Sequence, residues 1–244
     1  MVLRDGTRSP AEISETFGVS LMTAHRDIDE LVRAGMVRKF HGGVTALPSS
    51  MFDASIRFRS QSAPTEKAAI AAAARRLVEP GMSIFLEDST TTLALARTLI
   101  DTTPLTVITN FPEIVTQLRE ADGIRIIGLA GEYSRGHEAF LGMPCVESIR
   151  ALRADIHFSS TSAMTATDAF HSESEVVLVK RAMMAAADRS VLLMDHHKFG
   201  RTALHRVAPL TEFDDLVLDD GFEAAALDAL REQHPSVLIG THSA

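Results

Sequence analysis

Cysteine is almost missing from this chain: Cys145 is the single one in 244 residues. No internal disulfide can form, and the composition suits a reducing cytoplasm. Beside Pro144 at a predicted helix start, that thiol reads as a small buried side chain. No apolar run is long enough to span a membrane, and no basic-plus-apolar leader for export opens the chain. Repeats and low-complexity segments are absent. Lysine is scarce, with four in the chain, and the formal charge is −8. That total argues against a nucleic-acid partner until it is divided. Residues 1–47 carry six Lys/Arg and six Asp/Glu, so the acidity belongs wholly to the remainder. The first segment is neutral, which permits DNA binding through local cations without demonstrating it.

What is present begins with Gly18 to Val44. Ser20 follows a Gly-Val turn and is placed to cap a helix, its hydroxyl accepting from an orphaned amide. Leu21, Ala24, Ile28, Leu31 and Val32 recur at helical spacing, which predicts one inward stripe. Thr23, His25 and Arg26 then fall on the wet face near the helix start. Gly35 ends the helix, and a basic ribbon, Val37-Arg38-Lys39-Phe40-His41, closes on Gly42-Gly43. With a preceding helix from Pro10 to Phe17, the arrangement predicts a small winged helix-turn-helix over residues 1–47. Such a module normally packs a further helix in front, but nine residues precede Pro10 and only Val2 and Leu3 are apolar. A truncated first helix would leave Ile13, Ile28 and Leu31 uncovered and the module weakly folded.

Residues 48–64, punctuated by Pro and Ser, read as a linker. From residue 65 onward, short near-continuous apolar runs at 83–86, 106–109, 124–129, 156–159, 191–194, 216–218 and 237–239 alternate with helical stretches. That pattern predicts a doubly wound, mainly parallel α/β domain over 65–244, with its site at the carboxyl ends of strands.

The sharpest local signal there is Ile84 to Ala96, IFLEDSTTTLALA. A strand ends at Leu86, and Ser89, Thr90, Thr91 and Thr92 form the turn into a helix. Amides and hydroxyls at a helix N-terminus can hold a phosphate. The plainer alternative is one hydroxyl capping the helix. Glu87 and Asp88 would repel an anion there, so Lys180 or Lys198 is expected to approach. Asp195 and Lys198 flank a strand end, where they bind a ligand or each other. His196-His197, with His205 nearby, invites a metal reading. Adjacent residues of an extended strand point to opposite faces, however, so no metal and no cofactor are expected.

Gly18-Val19-Ser20, Thr23, Arg26-Asp27, Leu31, Gly35 and Arg38 with His41-Gly42-Gly43 resemble the DNA-binding segment of the DeoR family of bacterial transcriptional regulators. The family usually has two arginines before the aspartate, and here the first is His25. The resemblance implies DNA contacts from Ser20, Thr23, His25, Arg26, Arg38, Lys39 and His41. From Glu66-Lys67 to Asp220-Gly221 the chain resembles the family's sensor domain, which is similar in fold to ribose-5-phosphate isomerase. The markers are Thr90-Thr91-Thr92, Thr109-Asn110, Gly131 with Phe140-Leu141-Gly142, Phe158, Val179-Lys180-Arg181-Ala182-Met183, and Asp195 with Lys198-Phe199-Gly200. Such domains sense phosphorylated sugars. The resemblance implies an effector site of Glu87, Asp88, Ser89 to Thr92, Thr109, Asn110, Gly131, Ser160, Ser162, Lys180, Asp195 and Lys198. Glu87 stands where the family usually has aspartate, Ser89 where it often has glycine, and Ala130 replaces one of a glycine pair. Ser159 to Ala163 brings hydroxyls where glycines are common, which narrows the sugar side of the pocket.

Three functions follow. The first is a cytoplasmic transcription factor, a repressor acting as a dimer or tetramer on a double-stranded operator and answering a phosphorylated sugar. The second is an aldose–ketose phosphate isomerase with Glu87, Asp88, Glu173 or Glu175 as base. The third is a sugar-phosphate binding module that has lost DNA binding.

Overall fold

The computed structural model describes residues 7–33, 37–40, 42–46, 56–234 and 236–241. The chain divides into two compact units, residues 1–61 and 62–244. In the first, helix α1 (Pro10–Phe17) opens on a capping box: the Glu12 amide donates to Ser9 Oγ at 3.2 Å and the Ser9 amide donates to Glu12 Oε2 at 2.7 Å. It ends at Gly18, whose φ of 63° sets the tight turn. Ser20 caps helix α2 (Leu21–Arg33) as its position predicts, accepting from the Thr23 amide at 3.1 Å. Strands β1 (Val37–Phe40) and β2 (Gly43–Ala46) pair antiparallel as the wing, and Arg8 bridges to Val44 on the other edge. Gly43 is needed there, because a Cβ would lie 2.7 Å from the Phe40 ring and 3.0 Å from the Arg8 carbonyl.

The expected inward stripe of α2 needs correcting. Ala24 and Ile28 are buried and Val32 is half-buried, but Leu21 is 50% and Leu31 38% exposed. Ile28 is not uncovered: Val37 and Val44 of the wing pack on it, with Ile13 and Val32 at the margin. Among the described residues the wing therefore contributes to the cover that the sequence assigned to a preceding helix. Gly35, His41 and the first six residues lie outside the described residues. Of the span read as a linker, residues 56–61 form helix α3 (Ile56–Gln61), and the units divide just after it.

The second unit runs α4 (Pro64–Arg75), β3 (Ser83–Leu86), α5 (Thr90–Thr98), β4 (Leu105–Thr109), α6 (Pro112–Leu118), β5 (Ile124–Gly128), the hairpin β6 (Glu132–Ser134) and β7 (Ala139–Leu141), α7 (Met143–Arg150), β8 (Ala154–Ser159), β9 (Ala163–Met164), β10 (Asp168–His171), α8 (Ser174–Ala185), β11 (Ala187–Met194), β12 (His205–Pro209), β13 (Asp215–Asp219), α9 (Ala224–Gln233) and β14 (Val237–Gly240). Seven strands form one parallel sheet in the order β14-β13-β11-β8-β3-β4-β5. All seven predicted apolar runs are in it. Ile84, Phe85 and Leu86 alternate across the sheet yet are all fully buried, so both faces of β3 are covered. Phe85 and Ile108 pack under α7 and α8, while α4 and α5 pack against each other, with α4 reaching β13 and β14. Cys145 is buried, and burial followed by the Asp88 charge pushes its thiol up to about 12. A small antiparallel sheet, β12-β10-β9, lies outside the main one. Among the described residues no helix is long and apolar enough to cross a membrane.

Candidate functional site

The chain leaves β3 in one direction through β4 and β5, then returns to place β8 on the other side of β3 and continues through β11. In an open parallel sheet this reversal makes a crevice beyond the carboxyl ends of the two middle strands, because the connecting segments depart to opposite sides. Glu87 follows β3 and Ser160 follows β8, and the two meet there. The Ser160 amide donates to Glu87 Oε1 at 2.8 Å. Lys180, from α8, donates to the Ser160 carbonyl at 2.7 Å and pairs with the other Glu87 oxygen. Glu87 is 0% and Lys180 1% exposed. A lysine on a predicted helix is ordinarily solvated; here it is locked onto a carboxylate.

Asp88 is also engaged. Asn110, after β4, donates to Asp88 Oδ1 at 3.0 Å and to the Phe140 carbonyl at 3.1 Å. Its own Oδ1 is buried with no hydrogen-bond partner. The Phe140 amide returns a bond to the Asn110 carbonyl at 2.9 Å, so the β6–β7 hairpin is stitched to the strand end. Thr109 turns inward on its own loop, its hydroxyl accepting from the Phe111 amide at 3.0 Å. Gly131 is required for packing: a Cβ there would lie 2.7 Å from the Leu141 carbonyl.

The four hydroxyls of the turn have separate duties. Ser89 caps α5, accepting from the Thr92 amide at 3.0 Å. Thr92 donates to the backbone carbonyls of Glu87 at 2.7 Å and Ser89 at 2.8 Å. The plain capping role therefore absorbs these two, and Thr90 and Thr91, both buried, stand at the first turn of the helix. On the opposite rim Lys198 lies 3.3 Å from Asp195 Oδ2 and 3.3 Å from Ser160 Oγ. Burial alone would raise the Asp195 carboxyl, but the charges of Lys198, Lys67 and His197 and the Lys198 bond outweigh it and hold it low. The Ser162 hydroxyl is buried at the same strand end. The crevice is closed over these groups, and Lys198, with its side chain 22% exposed, is the cation that meets solvent. Two open clefts of about 520 and 640 Å³ lie along the outer side of α8, lined by residues such as Leu178 and Met184, away from this chemistry.

On the helix-turn-helix, His25, Arg26, Arg38 and Lys39 are exposed and Thr23 is half-buried. Thr23 Oγ1 lies 2.8 Å from Ser20 Oγ, so its hydroxyl is shared with the cap. Lys39 is held 2.5 Å from Asp29, and Arg26 lies 3.6 Å from Asp27. Both pairs are exposed, so either cation can exchange its partner at little cost.

Residues 62–220 match the family model described as the DeoR C-terminal sensor domain, and residues 1–50 match the DeoR-like helix-turn-helix domain. The chain belongs to the DeoR family of transcriptional regulators. This DeoR-family chain is 35% identical over 239 residues to the HTH-type transcriptional regulator YgbI of Escherichia coli K12, covering 98% of this chain and 94% of that one. It is 27% identical to the glycerol-3-phosphate regulon repressor of Escherichia coli K12, covering 96% and 93%. The fold is like that of ribose 5-phosphate isomerase A from Methanocaldococcus jannaschii at 18% identity, with a TM-score of 0.40 over 55% of this chain and 53% of that one.

The histidines of this DeoR-family member depart from expectation. His196 and His197 are not on an extended strand but in a 3-10 turn (His196–Lys198), where their ring centroids lie 3.8 Å apart. They share a side, and His205 sits away in β12. Sequence reading also passed over His157, fully buried in β8 with neither ring nitrogen hydrogen-bonded, and the buried pair His137 and His171, 6.0 Å apart. The signal for His157 was available: a lone imidazole inside the apolar run Ile156-His157-Phe158.

Proposed function

We propose that this DeoR-family regulator is a cytoplasmic repressor of a sugar-metabolism operon whose operator affinity changes when a phosphorylated sugar occupies the crevice between β3 and β8. One observation carries the reading. In an acidic chain with four lysines, two meet at one strand-end crevice: Lys180 donates to the Ser160 carbonyl and Lys198 lies 3.3 Å from Ser160 Oγ. Cations collected in this way suit an anionic guest. The phosphate would take the first amides of α5 with the Thr90 and Thr91 hydroxyls, where helix amides lack partners of their own. Lys198 supplies the accessible charge, and Asn110 Oδ1 accepts from a sugar hydroxyl. Lys180 is a positioning residue that holds Glu87 and Ser160 together. Glu87 accepts from both neighbours and Asp88 from Asn110, which favours binding over proton abstraction, since a general base needs a lone pair aimed at substrate. The name of the glycerol-3-phosphate regulon repressor is in keeping with a small phosphorylated polyol. A palindromic operator read by a dimer would double the few phosphate contacts that Arg26, Arg38, Lys39 and His41 offer.

The test is a gel shift of the full chain on DNA flanking its own gene, with sugar phosphates and the matching free sugars. A retarded band altered by a phosphorylated compound alone supports the proposal. Binding unaffected by every phosphate, or turnover of one of them, overturns it.

A further inference from the structure

We propose that Glu66, His196 and His197 form a site for a borderline divalent transition metal, zinc being the type ion, at the junction of α4 and the segment after β11. One ligand atom from each residue lies within 4.8 Å of the other two. His197 Nε2 is 3.5 Å from Glu66 Oε1. A tetrahedral ion with bonds of about 2.1 Å holds its ligand atoms about 3.4 Å apart, so that pair is already at ligand spacing.

His196 supplies the stronger argument. Its Nδ1 lies 2.6 Å from Asp219 Oδ2, its backbone amide donates to Asp219 Oδ1 at 2.8 Å, and the Gly221 amide donates to Asp219 Oδ2 at 3.1 Å. A carboxylate only accepts, so Nδ1 carries a proton, and in the neutral ring that a metal requires the lone pair is on Nε2. Metal-bound histidines are oriented in this way, with the far nitrogen donating to a carboxylate, which fixes the tautomer and raises the basicity of the other. The ring is also seated. A Cβ at position 221 would lie 2.2 Å from His196 Nδ1, so the glycine makes the room. A simple Glu66–His197 ion pair has no use for a second imidazole pinned beside it, its ring centroid 3.8 Å from that of His197. Two imidazoles and one carboxylate suit zinc over magnesium or calcium, which prefer oxygen alone. His197 is exposed (57% of its side chain), which leaves a coordination position open to water or a ligand oxygen. By joining α4 to the end of β11, the ion would tie the start of the second unit to its sheet.

Chelator-treated full-length protein is titrated calorimetrically with zinc chloride, and cobalt(II) is added in parallel to read its visible ligand-field bands. The expected result is one ion per chain and a zinc-dependent rise in Tm. His197→Ala and Glu66→Gln, both at accessible side chains, should each weaken binding at least about tenfold and abolish the cobalt spectrum, while His205→Ala behaves as wild type. Binding weaker than about 100 μM in the wild type, or undiminished in both variants, overturns the site; the second result would place the ion on other histidines.

Discussion

Replacing Lys180 by methionine removes a charge from the interior but leaves its partner behind. Glu87 would keep only the Ser160 amide, in a position with no solvent. Breaking one side of a buried pair costs about 3–5 kcal/mol, because the remaining ion has lost both water and counter-ion. For a domain of this size, each kcal/mol lowers Tm by roughly 2–4 °C, so Lys180→Met should fall by roughly 6–20 °C. Adding Glu87→Gln removes the stranded charge while the amide oxygen still accepts from Ser160. That double variant should return to within about 1 kcal/mol of wild type, since well-packed neutral replacements of buried pairs are often neutral or better. Urea and thermal unfolding of the full chain, read on the transition of residues 62–244, supply the cycle. The reasoning fails if Lys180→Met alone costs less than about 1 kcal/mol, or if the double variant loses as much as the two single ones together. Calorimetry on the same proteins separates the two lysines. The double variant keeps the net charge of the crevice and should still bind the sugar phosphate, whereas Lys198→Met should bind it at least about tenfold more weakly with little change in Tm.

His157 makes stability depend on pH. Burial without a partner lowers its pKa to about 3, so the folded state stays neutral while the unfolded chain takes up a proton near 6.5. The stabilisation is therefore present above pH 6.5 and declines by about 1.4 kcal/mol per unit as pH falls toward 3; His157→Leu should flatten that slope and leave the protein no less stable at pH 7, and an unchanged slope in denaturant titrations would refute it. Arg26→Ala should weaken operator binding by about 1–3 kcal/mol if the exposed start of α2 enters the major groove, and equal affinity by gel shift at physiological salt would remove Arg26 from the interface. Thr91→Val, nearly constant in volume, should weaken the phosphorylated ligand and spare the free sugar; equal loss for both would move the phosphate elsewhere.

The seven-stranded sheet was legible because strands buried on both faces must be apolar along their length, and such runs need no partner to be recognised. The helix-turn-helix was legible through Ser20 and Gly18, whose roles are local. What escaped is what depends on distant neighbours. Leu21 and Leu31 share the period of Ile28, yet the wing covers only the middle of that stripe. The two-residue strand β9 and the three-residue strands of the β6–β7 hairpin are too short to show alternation. His196-His197 was read as extended because the apolar run of β11 continues up to Met194, whereas the chain turns at Asp195. Glu87 and Lys180 were each singled out, but their pairing is decided by how α8 docks across β8, which no local pattern encodes. The four adjacent hydroxyls drew attention as a group, although two of them are occupied in building the turn.

The strand order also has a consequence in time. Because the crevice is closed by β8 and α8, it cannot exist on a nascent chain until Lys180 has been made and its helix has docked, whereas the unit that holds the helix-turn-helix ends at Gln61. Domains fold as units in order of synthesis, so the reading head is finished long before the part that answers the effector. A product cut short between the two would carry the one without the other: a helix-turn-helix with no sensor domain attached.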